Sequence, residues 1–246
     1  MKLLVTAGNT QVPIDRVRCL TNIFSGRTGA AIALAAYVKG HDVTLVTSRP
    51  EVVLELNPPR PLGPERWRPY RYTTFTDLER LLGEEVQRGG YDVVIHSAAV
   101  SDYLAAGIYA PTPDTHFNDQ TGGWNGAAAL VDRAAAKVKS DEAELWLRLV
   151  RAPKLVDKIR RDWGFAGVLV KFKLEVGVSD EQLLTIAEPS RRNSDADLMV
   201  ANTLEGSHEW ACIGPMDGAY RRVSRRDLPE RVLEAVAQRL EERRHG

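Results

Sequence analysis

The stretch "KLLVTAGNTQVPIDRVRCLTNIFSGRTGAAIALAAYVKGHDVTLVTS", Lys2 to Ser48, decides the fold class. The runs Lys2–Ala7 and Asp42–Ser48 are short, apolar and rich in Val, Leu and Thr, as buried strands of a parallel sheet are. Between them, Ser25–Gly40 places small residues on one face and stops at Gly40. It reads as a helix packed closely on a sheet, with Ser25 as the expected N-cap. Strand, helix and strand form a βαβ unit with a right-handed crossover. The bridge between the first strand and the helix is unusual. Nucleotide-binding α/β domains cross there in a tight glycine turn, whereas this chain runs from Gly8 to Gly26 through Asp15, Arg16, Arg18, Asn22 and Ser25.

Outward from this unit the alternation continues. Asp92–Val100 reads as a third buried strand, preceded by a strand at Tyr70–Phe75 and a capped amphipathic helix from Thr76 to Gly89. The proline-rich segment Ser48–Pro69 reads as a surface loop. Leu104–Asn125 is rich in turn formers and has no apolar period, so it is expected to be a functional or mobile loop. Beyond it, strands are expected at 144–150, 167–175 and 197–202, with weaker ones at 209–214 and 218–223. Helices are expected at 152–163, 179–193 and 228–244. The expectation is one α/β nucleotide-binding domain over residues 1–246, a doubly wound, mostly parallel Rossmann-like sheet. An arm or flap insertion falls within about 104–150, made of Ala105–Lys139 and Trp146–Val150.

Composition narrows the classes. A chain of 246 residues can bury a sizeable core, and 43% hydrophobic with 27% charged residues is ordinary for a globular protein. Thirty-three basic residues balance thirty-three acidic ones, so no global field favours nucleic acid or an anionic membrane. Anion recognition must be local. The first apolar run is too short for a signal peptide core, and no segment approaches the ~20 apolar residues of a membrane span. Cys19 and Cys212 form neither a CxxC pair nor a metal-type spacing with histidine, so no structural zinc or disulfide is expected. These features point to a cytoplasmic protein.

Two phosphate-binding fingerprints are missing. G-x-G-x-x-G does not open the first helix, no carboxylate follows the second strand at Ser48-Arg49, and no Walker A loop occurs. What remains is Ser25-Gly26-Arg27-Thr28-Gly29 at a helix start, where free amides and the helix dipole favour an anion. The same glycines serve equally well if they only permit a turn and close packing.

The motifs taken together resemble those of the phosphopantothenoylcysteine synthetase family, the phosphopantothenate–cysteine ligases of coenzyme A biosynthesis. "TAGNTQVPIDRVRCLTNIFSGRTG" is similar to that family's first loop, with its ID-x-VR and N-x-SSG elements. "IHSAAVSDY" (Ile95–Tyr103), Lys137-Val138-Lys139, "LRLVRAPKLVDKI", "LVKFKLE" and "ADLMVANTL" match its later motifs in order. The common bacterial form carries a flavin-dependent decarboxylase domain ahead of this module. The chain is therefore expected to be similar to the stand-alone form.

The resemblance implies a chemistry. The carboxylate of 4′-phosphopantothenate attacks the α-phosphate of CTP, or of ATP in the eukaryotic form, and the cysteine amine then displaces the nucleotide monophosphate. It implies catalytic roles for Asn22 at the activated carboxyl, Arg18 as a phosphate or carboxylate fork, with a salt bridge to Asp15 as its alternative, and Lys137 at the transferred phosphate. Substrate and nucleotide contacts are expected at Gly8, Thr10, Ser25, Gly26, Ala99, Asp102, Lys139, Phe172 and Asn202. Asp102 is suited to ribose hydroxyls, while Phe172 and Asn202 are suited to the base. Mg²⁺ is expected to arrive on the triphosphate with few protein ligands, so no protein metal site is expected. The family is dimeric, and the mixed strands near 210–213 and 220–223, with the arm after Tyr103, are expected to need a partner for burial, giving a symmetric homodimer.

Departures from the family pattern are Asn9 for its second glycine, Ile23-Phe24 for a polar pair, Ser140 for the last lysine and Lys171 for a glycine. Asn9 is expected to tolerate positive φ in the glycine's place. Cys19 is expected to be a small packed residue, His96 a satisfied core histidine, and Arg221, Arg222, Arg225 and Arg226 a solvated face. Two other functions fit the fold: an NADP-binding reductase with Arg49 on a 2′-phosphate, or a nucleotide-binding regulatory module whose catalytic loop has decayed.

Overall fold

The computed structural model describes residues 1–58 and 62–245. In chain order the first elements are β1 (Lys2–Ala7), β2 (Gln11–Pro13), β3 (Cys19–Thr21), α1 (Arg27–Val38), β4 (Asp42–Thr47), α2 (Glu51–Glu55), β5 (Trp67–Arg71), α3 (Phe75–Arg88) and β6 (Val93–His96). Then follow β7 (Tyr103–Pro111), β8 (Phe117–Asn118), β9 (Gly123–Trp124), β10 (Leu130–Asp132), β11 (Trp146–Arg151) and α4 (Leu155–Arg161). The chain closes with β12 (Val168–Glu175), α5 (Asp180–Asn193), β13 (Leu198–Thr203), β14 (Trp210–Met216), β15 (Ala219–Ser224) and α6 (Leu228–His245). Two compact units result. Met1–Thr10, Ile23–Val100 and the chain from Lys154 onward make the first, and Gln11–Asn22 with Ser101–Pro153 make the second.

The first unit is built on a sheet in the order β15-β14-β13-β12-β6-β1-β4-β5. The six strands from β13 to β5 are parallel, while β14 and β15 run antiparallel to their neighbours. Inward residues of β1, β4, β6, β12 and β13 pack with Ala30, Ile32, Ala33 and Ala36 of α1 and Val232, Leu233 and Val236 of α6. On the other face Leu183 and Ala187 of α5 pack with Met199, Ala201 and Cys212. Helices thus cover both faces, and the doubly wound α/β class is borne out. The second unit holds the three-stranded antiparallel sheet β10-β7-β11 and the hairpins β2-β3 and β8-β9. Phe117, Trp124 and Trp146 pack together there, with ring centroids 4.6–5.3 Å apart.

Several expectations need correction. Leu104–Asn125 is not structureless, because β7, β8 and β9 lie in or across it. Its small residues Ala105, Ala106 and Gly107 hide the alternation, and the partners that order β7 come from residues 130–132 and 146–151. Segment Ser48–Pro69 contains α2 and the start of β5, and its part at 59–61 lies outside the described residues. Strand pairing in Asp92–Val100 stops at His96, after which a single bridge joins Ala99 to Asn9. β14 is buried by β13 and β15 of its own chain, so it needs no partner for burial. Cys19 is exposed, and its stretch of β3 faces solvent. Arg225 leaves the expected solvated face: it is half-buried and donates to Thr28 Oγ1 in the first turn of α1.

The N-cap of α1 is Gly26, not Ser25, and no side chain caps the helix. Gly26 has φ 83°, and a Cβ on it would lie 2.1 Å from Gly8 N and 2.5 Å from Gly8 Cα. Gly8 itself has φ 87°. The excursion therefore returns to place backbone directly on backbone, which a side chain at Gly26 would prevent. Gly29 does the same for the helix, since a Cβ there would lie 2.8 Å from Ala7 Cβ and 2.9 Å from Thr6 O. These three glycines do the work of a dinucleotide-type glycine turn, namely tight turn, close approach and helix–strand packing, with a long insertion between the first and second. Asn9 does not take positive φ. It is buried, its amide nitrogen donates to Phe24 O (3.0 Å), and Ser48 Oγ donates to its Oδ1 (3.3 Å) while accepting from Asn9 N (3.0 Å).

Buried polar groups on the opposite face are satisfied by one another. Thr6 Oγ1 accepts from Ala98 N (3.2 Å), which leaves its hydroxyl proton for His96 Nδ1 (3.0 Å). His96 is thus a satisfied core histidine, as expected. Its pKa is pulled down to about 4, chiefly by burial and then by the charge of Lys171. Lys171, in register with His96, donates to Ser190 O (2.8 Å) and Ser194 Oγ (2.5 Å), and Ser194 Oγ donates to Asp157 Oδ1 (2.6 Å). The lysine is spent on joining β12 to α5 and α4.

Two predictions follow from this packing. Because His96 resists protonation until about pH 4 whereas an unfolded histidine charges near 6.5, the folded state is favoured fully above 6.5. That stability is lost as pH falls toward 4, by up to about 3 kcal/mol. Urea unfolding at pH 7 and pH 4.5 should show the decline, and His96→Gln should flatten it. Gly26→Ala adds a strained φ and a backbone clash, so its melting temperature should drop by several degrees, at a cost of roughly 1–3 kcal/mol. An unchanged melting temperature would mean the turn has slack the structure does not show.

Candidate functional site

In the first unit the order of the sheet reverses between β1 and β6: from β1 the chain builds outward to β4 and β5, then returns to β6, β12 and β13 on the other side. Open α/β sheets bind ligands at the carboxyl ends of the strands flanking such a reversal. Gly8–Thr10 and Ser97–Ala99 are the segments found there. Ala99 N donates to Gly8 O (2.8 Å) and Thr10 N to Ala99 O (3.3 Å), so the two strand ends are laced together past the regular pairing. Tyr72 Oη supports them by donating to Ala7 O (2.8 Å).

Ser25 and Gly26 join this edge through the Gly26–Gly8 contact. Of the predicted residues, Gly8, Thr10, Ser25, Gly26 and Ala99 are therefore brought together. Asn202, buried near the end of β13, pairs in register with Leu174, and Phe172 lies two register steps earlier on the same parallel ladder. They share the sheet but lie farther along it. Arg225 is an addition that sequence did not suggest. It follows β15, whose end pairs with the start of β14, and so lies at the same carboxyl edge. Burial alone shifts its pKa, downward, and no carboxylate contributes. Its only sequence signal was membership of an arginine cluster.

In the second unit Arg18, Lys137 and Lys139 line one open cleft of about 380 Å³ with Val17, Val138 and Ser140. Three of the predicted residues are thus together, and no carboxylate lines the cleft. The lysines are exposed on either side of buried Val138, as residues alternating along an extended segment should be. Arg18 is less free than the fork expected from sequence. Its Nε (3.1 Å) and Nη2 (2.7 Å) donate to Asp15 Oδ2, and Nη2 also donates to Val138 O (2.9 Å).

Asp15 gathers this corner. Oδ1 accepts from Val17 N and Arg18 N, both 2.8 Å, and Oδ2 accepts from Val138 N (3.1 Å) besides Arg18. Arg16 N adds a bond to Ala136 O (3.0 Å). The Arg18 guanidinium, followed by the Val17 amide, holds the Asp15 carboxyl well below the usual carboxylate range. Asn22, half-buried, closes the short β2-β3 segment, and Asp102 precedes β7 with its carbonyl accepting from Ala152 N (2.9 Å). Chemically, the cleft is suited to a multiply charged anion, while the edge of the first unit offers backbone amides and small residues.

Among the described residues there is no group of three or more His, Cys, Asp or Glu side chains arranged to hold a metal ion. No helix among them is long and apolar enough to cross a membrane.

Residues 1–110 match the family model described as the DNA/pantothenate metabolism flavoprotein C-terminal domain. The coenzyme A biosynthesis bifunctional protein CoaBC of Thermococcus kodakarensis is 30% identical over 246 aligned residues, covering 97% of this chain and 51% of that protein. The chain spans about half the length of the curated relatives it matches. The crystal structure of the DNA/pantothenate metabolism flavoprotein from Streptococcus pneumoniae superposes with a TM-score of 0.74 at 27% identity, covering 97% of this chain and 99% of that one. A Cab2 mutant in complex with phosphopantothenate-cysteine shares the fold at 17% identity, with a TM-score of 0.69, covering 98% of this chain and 86% of that one. Residues 1–110 thus match the DNA/pantothenate metabolism flavoprotein C-terminal domain, and the whole chain is similar in sequence and fold to proteins of coenzyme A biosynthesis, as its motifs led one to expect.

Proposed function

We propose that this chain is a phosphopantothenate–cysteine ligase, in which the phosphopantothenate carboxylate takes a nucleotidyl group from CTP and the cysteine amine then displaces the nucleotide monophosphate. The observation that carries this is the cationic cleft of Arg18, Lys137 and Lys139, built from motifs that lie in order along a chain similar over 97% of its length to a coenzyme A biosynthesis protein. Both half-reactions pass through phosphate-bearing, negatively charged states, and fixed cations are the means of stabilising them. A complex of a related fold with phosphopantothenate-cysteine supports the same product. Mg²⁺ enters on the triphosphate, ATP is the alternative nucleotide, and the setting is cytoplasmic. The assembly proposed is a symmetric homodimer.

Pyrophosphate should be released only when nucleotide, phosphopantothenate and cysteine are all present, and a panel of CTP, ATP and UTP identifies the donor. Folded protein that binds nucleotide without releasing pyrophosphate would favour the regulatory module. Silence with all three nucleotides sinks the ligase.

Two variants separate the half-reactions. Asn22→Asp keeps size but puts a charge beside the activated carboxyl, where repulsion between unit charges ~4 Å apart is about 4 kcal/mol at an effective dielectric near 20. Lys137→Gln removes charge from the nucleotidyl transfer itself. Exchange of labelled pyrophosphate into nucleotide should suffer more in Lys137→Gln, and product formation should suffer in both. Light scattering at micromolar concentration should give twice the 27.3 kDa chain mass, and a monomer mass would count against the dimer.

A further inference from the structure

We propose that Asp15 is the positioning residue of the lysine cleft: it fixes the backbone of Lys137-Val138-Lys139 so that the two ammonium groups converge on one polyphosphate anion. The inference rests on the ligase reading above for the identity of the anion, and on geometry alone for the role of Asp15.

The Asp15 side chain has no solvent exposure, although it sits in a surface loop. Every stretch it touches belongs to the cleft. Oδ1 fixes the turn at Val17-Arg18, and Oδ2 accepts from the Val138 amide and from the Arg18 guanidinium. Arg18 completes the frame by donating to Val138 O. Asp15 and Arg18 together therefore hold both polar groups of one peptide residue, as a neighbouring β-strand would, although neither uses its own backbone to do so. Held this way, Val138 is buried and its neighbours Lys137 and Lys139 are turned outward into the cleft.

The charges explain why the device needs an acid. Two exposed lysines and an arginine in one corner repel one another. A carboxylate that neutralises Arg18 without lining the cleft reduces that repulsion and leaves the lysine charges available to a ligand. Arg18 is thereby a positioning residue as well, since its fork is filled from within the chain.

The test uses the whole chain. Asp15→Asn keeps the size of the side chain but presents an amide to the donors of Val138 and Arg18. Trypsin cleavage after Lys137 and Lys139 should accelerate several-fold, with the melting temperature and circular dichroism of the rest of the chain retained. The KM for nucleotide should rise roughly tenfold or more, and pyrophosphate exchange should fall with it. Asp15→Glu, which restores the charge, should recover part of the loss. Because Asp15 acts through Lys137 and Lys139, the triple variant Asp15→Asn/Lys137→Gln/Lys139→Gln should be no worse than Lys137→Gln/Lys139→Gln.

Wild-type KM in Asp15→Asn, or a further loss on adding Asp15→Asn to Lys137→Gln/Lys139→Gln, would overturn the proposal. If the wild-type chain shows no ligase activity at all, the functional reading fails while Asp15 remains testable. Calorimetric titration with inorganic pyrophosphate should then give weaker binding in Asp15→Asn than in wild type. Equal binding, or none by wild type, overturns it.

Discussion

The contact of Gly26 on Gly8 is the constraint from which the first unit's geometry follows. A chain that leaves the end of β1, passes through a separate unit and still begins α1 at that same strand end must come back within backbone contact of its departure point. Gly26 has the conformation and Gly8 the bare backbone for it. Asn9 then fastens the returning chain by donating to Phe24 O, and Ser48 ties Asn9 to the end of β4. The sheet, its first helix and the laced ends of β1 and β6 depend on this closure. The local conformation is costly for any residue bearing a Cβ, so the positions are fixed by sterics.

The insertion between the two glycines carries charged side chains that frame the cleft. A dinucleotide-type turn relies on its own amides, whereas here the loop brings Asp15 and Arg18 to grip Val138. The resulting cleft has cations on its walls, with the Asp15 carboxylate withdrawn behind them. Backbone amides and small residues mark the sheet edge of the first unit, and point charges on an extended segment line the cleft of the second. Lys171, Asn9 and Phe24, which depart from the family pattern, all have structural occupations. Lys171 braces helices, Asn9 closes the turn, and the Phe24 carbonyl receives Asn9. None of these contacts removes a group from the cleft.

The βαβ pattern, the doubly wound class and most strand centres were legible in the sequence, because a buried parallel strand must be continuously apolar and its helix must be small on the packed face. The site motifs were legible as motifs. Residue types offered Arg18 either as a ligand fork or as the ion-pair partner of nearby Asp15, and its hold on the Val138 carbonyl depended on a partner far along the chain. β7 was missed for the same reason. Its Ala-Ala-Gly centre has no side-chain period of its own, and order comes from antiparallel partners on either side.

What the sequence determined by itself was thus local: which runs are apolar enough to be strands, where glycine permits a turn, and which charged residues fall within one loop. Tertiary structure alone decided that Gly26 meets Gly8, that Lys171 turns to α5, that Arg225 reaches α1, and that Asp15 serves the lysines. The physical reason is common to all four. A hydrogen bond or a close backbone approach requires separations held to within a few tenths of an ångström between residues far apart in sequence, and only the packed fold sets such separations.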